Sequence, residues 1–155
     1  MRNEAMTRAR LVSGTYILVF TLAEGVHVRV GRLGTFEFPR GWYAYVGSAL
    51  GPGGLRARLS RHAQPGKRLH WHIDYMLQQA NLREIWLAES PHRWECTWAH
   101  CWLDWPGAQV PVPGFGASDC GCLAHLFATP ERPLVEEFLR RVAPVCGEPI
   151  QRIVL

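Results

Sequence analysis

The sequence predicts an α+β fold in which a small antiparallel sheet is flanked by helices. Segments rich in β-prone aromatic and β-branched residues are mixed along the chain with segments whose apolar residues recur at helical spacing. Mixed strands and helices in this order are typical of α+β domains. The 155 residues, 48% hydrophobic and 19% charged, indicate one soluble globular domain at 13–155 behind a basic arm at 1–12.

The first part of the chain is predicted to be mostly strand. Gly14–Leu22 forms the first strand. Val26–Phe38 follows as a hairpin, because VHVRV alternates and Gly31–Gly34 supplies the turn. Trp42–Val46 is aromatic and β-prone, so it is predicted to be a buried strand.

A glycine-rich loop, Gly47–Gly54, joins that strand to a short helix ending near Gly66. Such loops let the backbone approach another group closely, or let a helix pack tightly on a strand. Leu55 and Leu59 lie one turn apart and mark the packed face of the helix.

Four basic residues on this helix take different directions. At about 100° per residue, Arg58 and His62 fall beside the apolar stripe, whereas Arg56 and Arg61 point further outward. Arg58 is therefore directed at the seam between helix and sheet, where catalytic groups are usually found.

Helical spacing next predicts a second helix at Leu69–Asn81, followed by a short strand at Glu84–Ala88. A third helix is predicted to start at Ser90 as its cap, with Pro91 in the first helical position. Glu95 then lies about one turn into this helix, which ends at Pro106. Its apolar stripe consists of Trp94, Trp98, Cys101, Trp102 and Trp105.

The C-terminal part begins with a Pro/Gly-rich loop at 106–121. Leu123–Ala128 is predicted to be a strand and Pro130–Arg141 a final helix, with a loosely docked tail from Ala143. The residues expected to face inward from this helix are Leu134, Val135, Phe138 and Leu139.

The charge distribution favours a nucleic-acid partner. The net charge is +4 and the pI about 9.0, and no carboxylate occurs between Glu37 and Asp74. A region of one sign interleaved with aromatic residues is the expected footprint for a phosphate backbone. A solvated basic face is the alternative. The basic interval comprises Arg40, Arg56, Arg58, Arg61, Lys67 and Arg68, with His62, His70 and His72 among them.

Membrane insertion and secretion are not expected. No apolar run approaches the roughly 20 residues that a membrane helix requires. The N-terminal charges are not followed by a hydrophobic segment, so no secretory signal is visible and a cytoplasmic location is predicted.

The five cysteines are expected to be reduced, mostly buried thiols, because their number is odd and no oxidising compartment is indicated. As an alternative, Cys120, Cys122 and His125 could bind zinc with a fourth ligand from Cys96 or Cys101. Their spacing matches none of the commoner zinc signatures, so packing is favoured.

Three short motifs resemble those of the GIY-YIG endonuclease superfamily: Gly14-Thr15-Tyr16, Tyr45-Val46-Gly47, and Leu55-x-x-Arg58-Leu59-x-x-His62. More narrowly, YVGSA at Tyr45–Ala49, RLHWHIDY at Arg68–Tyr75 and GFG-SDC at Gly114–Cys120 resemble a small stand-alone branch of unknown function. The likeness covers roughly Ser13–Ala128.

The resemblance implies a divalent-metal-dependent endonuclease that hydrolyses phosphodiester bonds in DNA. In that superfamily a glutamate on a helix after the third strand holds the metal, which here corresponds to Glu95. A single carboxylate plus phosphate oxygens suits Mg²⁺ or Mn²⁺. Stabilisation by the helix dipole is the alternative role for Glu95.

The resemblance also assigns the other catalytic candidates. Tyr16 and Tyr45 match the motif tyrosines, and either could act as general base if a nearby cation favoured the phenolate. Arg58 could be that cation or could stabilise charge on the phosphoryl group. His62 could share the proton transfer, bind phosphate, or be structural.

The predicted nucleic-acid contacts are Arg56, Arg61, Lys67, Arg68, His70 and His72. On the predicted helix His70 and His72 diverge by about 200°, which argues against a His–His–Asp metal cluster with Asp74.

The motif tyrosines are separated by 28 residues, 17–44, more than is usual in the superfamily, and the inserted hairpin explains the excess. This extra length could reshape the DNA-facing edge or leave the active site incomplete. A catalytically inactive basic nucleic-acid-binding module is therefore the alternative function.

Overall fold

The structure is a computed structural model that describes residues 12–155, so the first eleven residues of the predicted basic arm lie outside it. None of the helices in this described range is long and apolar enough to cross a membrane. The strands are β1 Gly14–Leu22, β2 Val26–Val30, β3 Gly34–Phe38, β4 Gly41–Ala49, β5 Asn81–Glu89, β6 Leu126–Thr129 and β7 Gln151–Val154. The helices are α1 Gly54–Ala63, α2 His72–Leu77, α3 Glu95–Leu103 and α4 Val135–Val142.

Within residues 12–155 the main sheet is antiparallel throughout and has five strands in the order β6-β4-β1-β5-β7. Strand β1 is central and pairs with β4 on one side and β5 on the other. This register sets Tyr16 opposite Gly47 and Leu18 opposite Tyr45. The predicted α+β class, with a small antiparallel sheet flanked by helices, is confirmed.

Both faces of the main sheet are buried, which explains why β1 is apolar at nearly every position. Alternate residues of a strand face opposite sides of the sheet. Tyr16, Leu18 and Phe20 face a core covered by α1, α2 and the β2–β3 hairpin. Ile17 and Val19 face a second core, which contains the tryptophan stripe of α3 and Phe138 of α4.

The predicted hairpin at 26–38 is present as a separate two-stranded sheet whose turn is a 3₁₀ segment, Gly31–Leu33. It does not extend the main sheet. Instead, Val28, Val30 and Phe38 pack into the core beside α2. The chain added between the motif tyrosines therefore contributes one wall of a core.

Several predicted helix boundaries are wrong. The second helix is limited to His72–Leu77, because residues up to Trp71 are held outside it by hydrogen bonds to Asp74. The third helix begins at Glu95 rather than near Ser90. The Ser90 hydroxyl accepts a hydrogen bond from the His92 amide in a turn before the helix. Glu95 is thus the first helical residue, not one a full turn inside.

The C-terminal predictions also need correction. Strand β6 starts at Leu126 and helix α4 at Val135, later than predicted. Leu134 and Leu139 are exposed, whereas Val135 and Phe138 are buried as predicted. The tail is not loosely docked, since residues 151–154 form β7 and pair with β5.

A buried carboxylate fastens this tail. Glu84 on β5 is 1% exposed and accepts hydrogen bonds from Arg132, Arg152 and the Trp86 indole. Burial opposes its ionisation, but these donors prevail and lower the pKa of Glu84 to about 2. Glu84 therefore connects β5, the segment after β6, and β7.

Candidate active site and metal centre

A polar cavity of about 410 Å³ opens where β1 and β4 meet α1 and the start of α3. Every residue that the sequence predicts to be catalytic lines it, and so do two of the predicted nucleic-acid contacts. The cavity lining includes Tyr16, Tyr45, Arg58, His62, Glu95, His70 and His72.

Tyr16 and His62 are in direct contact at the base of this cavity. The hydroxyl oxygen of Tyr16 lies 2.6 Å from Nε2 of His62, and both side chains are buried. Burial lowers the pKa of His62 to about 3, so its imidazole is neutral at physiological pH and Nε2 can accept a hydrogen bond from the Tyr16 hydroxyl. Burial also raises the pKa of Tyr16, against the opposing effect of Arg58.

Gly47 makes room for this arrangement. A Cβ at Gly47, which faces Tyr16 in the β1–β4 pair, would lie 2.6 Å from the Tyr16 ring and hydroxyl. The glycine of the Tyr45-Val46-Gly47 motif is therefore needed because the tyrosine of the other motif lies across it.

Arg58 is held against Trp71. Its guanidinium carbon lies 4.0 Å from the Trp71 ring centroid, and its Nη1 donates to the Ser48 carbonyl at 2.9 Å. The Arg61 guanidinium also lies over Trp71, at 4.1 Å. Stacking of a guanidinium on an indole restrains it while keeping its charge.

Glu95 occupies the cavity wall at the start of α3. Its Oε1 lies 2.7 Å from Nδ1 of His125, and its side chain is 24% exposed. Burial disfavours the carboxylate, but His125, Ser48 and Arg58 together keep the pKa of Glu95 below its ordinary value. Glu95 is therefore ionised at neutral pH.

The opposite wall comes from the Gly114–Gly116 turn. The Gly116 amide donates to Nδ1 of His72 at 2.9 Å, and Gly116 has a φ of +71°. A Cβ there would lie 3.0 Å from the Tyr45 ring, so this turn packs closely on the second motif tyrosine. Burial raises the pKa of Tyr45 well above its ordinary value.

His70 and His72 both line the cavity, although the predicted helix would have separated them. The physical reason is that the helix begins at His72, so His70 lies in the preceding extended segment. Asp74 fixes this segment by accepting the amides of His70 and Trp71, each at 2.8 Å.

Asp74 also binds Arg61, which sequence reasoning missed. Arg61 donates to both Asp74 oxygens at 2.8 Å and to the Arg68 carbonyl. Burial opposes ionisation of Asp74, but Arg61 and the two amides lower its pKa. The Arg61 guanidinium, which the sequence predicts to contact DNA, is thus paired with Asp74. The only hint of this pairing in the sequence is that the basic interval contains no carboxylate closer to Arg61 than Asp74.

The remaining predicted contacts lie beside the cavity. Lys67 and Arg68 line an adjacent depression with Arg61 and His70, and the Lys67 ammonium donates to the His62 carbonyl at 2.9 Å. Arg56 is half-buried on α1. Sequence reasoning did not select Arg93 and Asp119, which also line the cavity.

Four side chains behind Glu95 form a candidate metal centre. The ligand atoms of Cys96, Cys120, Cys122 and His125 all lie within 4.8 Å of one another. Three thiols and an imidazole suit a softer metal than Mg²⁺. Burial raises the pKa of Cys96 and of Cys122.

The expectation of mostly buried thiols is wrong, because four of the five cysteines are only half-buried and Cys146 alone is buried. Of the two possible fourth zinc ligands that the sequence offers, Cys96 and Cys101, the cluster contains Cys96. Cys101 instead contacts the Thr97 carbonyl on its own helix. Cys120, Cys122 and His125 come from the loop before β6, whereas Cys96 is on α3.

Fold and site together define a small α+β domain with a polar cavity and an adjoining candidate metal centre. Residues 15–147 match the family described as a domain of unknown function, DUF123, and the chain belongs to that family. No curated protein and no solved structure matches it.

Proposed function

We propose that this protein is a metal-dependent endonuclease that hydrolyses phosphodiester bonds in DNA, related to the GIY-YIG superfamily. The observation that supports this proposal most strongly is the common cavity of Tyr16, Tyr45, Arg58, His62 and Glu95. These residues come from β1, β4, α1 and α3. Side chains that only stabilise a core are not expected to place these polar groups around one opening.

In this proposal Tyr16 and His62 move the proton of the attacking water. The neutral His62 imidazole accepts from the Tyr16 hydroxyl over 2.6 Å. As water attacks phosphorus, its proton passes to the Tyr16 oxygen while the phenol proton passes to Nε2 of His62. The pair therefore relays the proton without a free phenolate, which burial of Tyr16 disfavours. Burial also opposes the imidazolium that forms on His62, and the negative charge of a bound phosphate would offset that cost.

Arg58 supplies the positive charge for the phosphate. It is stacked on Trp71 and tied to the Ser48 carbonyl, so it is oriented before substrate arrives. A preoriented cation stabilises the charge that develops on the transferring phosphoryl group.

Glu95 would hold Mg²⁺ or Mn²⁺. Its ionised carboxylate and the nearby Asp119 give the cavity the hard oxygen donors that such ions prefer, with substrate oxygens completing the shell. The bound ion would polarise the phosphoryl oxygens. The protein's own part is to hold that carboxylate beside Arg58 and Tyr16.

A second function is favoured by a specific observation. Burial raises the pKa values of both Tyr16 and Tyr45 and lowers that of His62 to about 3, so neither phenol ionises near neutral pH and His62 is a weak base. A module that binds DNA through the basic interval and does not cleave it would tolerate this. Incubating the protein with branched, nicked and single-stranded DNA, with and without Mg²⁺ or Mn²⁺, separates the two, because only the endonuclease gives metal-dependent products.

A further inference from the structure

We propose that Cys96, Cys120, Cys122 and His125 bind one structural Zn²⁺, and that this ion, acting through His125, fixes the position of Glu95 in the cavity. The second half of the proposal rests on the proposed function, whereas zinc binding does not.

The four ligand atoms already have spacings close to those of a tetrahedral site. With Zn–S near 2.3 Å and Zn–N near 2.0 Å, tetrahedral ligand atoms are separated by about 3.5–3.8 Å. Sγ of Cys120 lies 3.5 Å from Nε2 of His125, and no pair in the group exceeds 4.8 Å. Small side-chain rotations would therefore close the shell around an ion.

The ligand types select zinc over magnesium. Three thiolates and one imidazole form a Cys₃His set, which is a common structural zinc shell with no open position. A closed shell of this kind holds its ion permanently and does not bind substrate. The ion proposed at Glu95 would differ, since it exchanges with solvent and contacts phosphate.

The two nitrogens of His125 have different partners. Nε2 faces Cys120, while Nδ1 lies 2.7 Å from Oε1 of Glu95. A metal-bound histidine usually donates its other N–H to a carboxylate, which sets the tautomer and the ring orientation. Here that carboxylate belongs to the cavity. The Nδ1 atom is buried and makes no hydrogen bond within residues 12–155 in the present ring orientation, so a small rotation of the zinc-bound ring would let it donate to Glu95 and orient that carboxylate.

Zinc would also fix one end of a long irregular segment. No helix or strand is assigned between Leu103 and Leu126. This segment nevertheless supplies Gly116 and Asp119 to the cavity. A bridge from Cys96 on α3 to Cys120 and Cys122 would fix its end near Glu95.

Metal analysis of the purified protein tests zinc binding directly. We expect one equivalent of zinc in the wild type and in Cys101→Ser, a control cysteine on α3 outside the cluster, and loss of zinc in Cys122→Ser. Cobalt exchanged into the wild type should give the intense visible absorption of tetrahedral thiolate ligation. Substoichiometric zinc in the wild type, or zinc retained in Cys122→Ser, would overturn the site.

Alkylation of the wild type covers the case in which Cys122→Ser fails to fold. With zinc bound, Cys96, Cys120 and Cys122 should resist iodoacetamide in the native protein and react after the metal is stripped. Equal reactivity before and after stripping contradicts the proposal.

The positioning of Glu95 has a readout that does not depend on cleavage. In ¹⁵N spectra, His125 of the zinc-loaded protein should carry its proton on Nδ1, with Nε2 bound to metal. The reverse tautomer would refute the link to Glu95. Zinc without any DNA cleavage would remove the proposed function and leave the metal site standing, whereas cleavage by a zinc-free protein would do the opposite.

Discussion

Tyr16 on β1 and His62 at the end of α1, 46 residues apart in sequence, are joined by a hydrogen bond of 2.6 Å. The contact depends on Gly47, because any side chain there would collide with the tyrosine ring. It also depends on burial, which keeps His62 neutral and able to accept a hydrogen bond from the phenol. Residues from three separate motifs thus build one buried hydrogen-bonded pair.

Glu95→Gln should abolish Mg²⁺-dependent cleavage while leaving the zinc content unchanged. Glutamine keeps the oxygen that faces His125 but removes the charge that a hard cation requires. Cleavage rates and metal analysis on the same preparation check both parts. Glu37→Gln, an exposed carboxylate on the hairpin, should leave both at wild-type values. Loss of zinc in Glu95→Gln would show that this carboxylate is required for zinc binding.

Arg56→Ala combined with Arg68→Ala should weaken binding of all DNA sequences alike. Each lost phosphate contact reduces the magnitude of the salt dependence by about one unit in a plot of log K against log salt. Fluorescence anisotropy at several salt concentrations measures the slope. Arg61 is left intact, since removing it would leave the buried Asp74 carboxylate without its ion-pair partner.

A charge-matched control for that experiment is Arg29→Ala combined with Arg140→Ala, both exposed residues outside the basic interval. The control should keep the wild-type slope. An equal loss of slope in both double variants would mean that net charge, rather than this surface, determines binding.

Stability should fall in acid because of Glu84. Its pKa is depressed from 4.5 to about 2, so the stabilisation is present above about pH 4.5 and is lost as the pH falls toward 2. Glu84→Ala should cost about 1–3 kcal/mol at neutral pH, because it leaves the buried Trp86 indole without its acceptor and removes the partner of two guanidinium groups that solvent can reach. Denaturant unfolding at pH 7 and pH 3 should show a smaller difference between the two pH values in the variant than in the wild type.

The contrast for Glu84 is Glu137→Gln. Glu137 pairs with Arg140 and Arg141 at the protein surface, where solvent screens such pairs. The melting temperature of the Glu137→Gln variant should stay close to that of the wild type. If Glu84→Ala has the same melting temperature as Glu137→Gln, then β7 is held by its backbone pairing alone.

Local sequence patterns were sufficient for the central strands. Gly14–Leu22 is apolar on both faces, and its bounds agree with β1. Patterns failed where a long-range contact decides the outcome. Strand β7 is short and exposed, and only its pairing with β5 and the Arg152–Glu84 contact define it. The helix signal at Ser90 failed because the hydroxyl serves a local turn and Glu148 instead.

The candidate site was predictable to a similar degree. The five residues that the sequence selected as catalytic candidates line one cavity: Tyr16, Tyr45, Arg58, His62 and Glu95. The metal centre was not predictable by spacing, because Cys96 lies on a different element from Cys120 and Cys122. Nor could the sequence indicate that Arg61 pairs with Asp74, since a bend in the chain at Trp71 brings them together.

The most direct test of the proposed function compares single-turnover DNA cleavage by the wild type and by Tyr16→Phe, with Mg²⁺ present and DNA affinity measured alongside. Phenylalanine keeps the packed ring and removes only the hydroxyl that contacts His62. Tyr43→Phe is the matched control, because Tyr43 is also buried but donates to the Pro39 carbonyl outside the cavity. We expect cleavage by the wild type and the control, and a rate lower by about 10²–10³-fold in Tyr16→Phe at unchanged affinity. A wild type that binds DNA but yields no product with Mg²⁺ or Mn²⁺, or a Tyr16→Phe variant that cleaves at the wild-type rate, would contradict it.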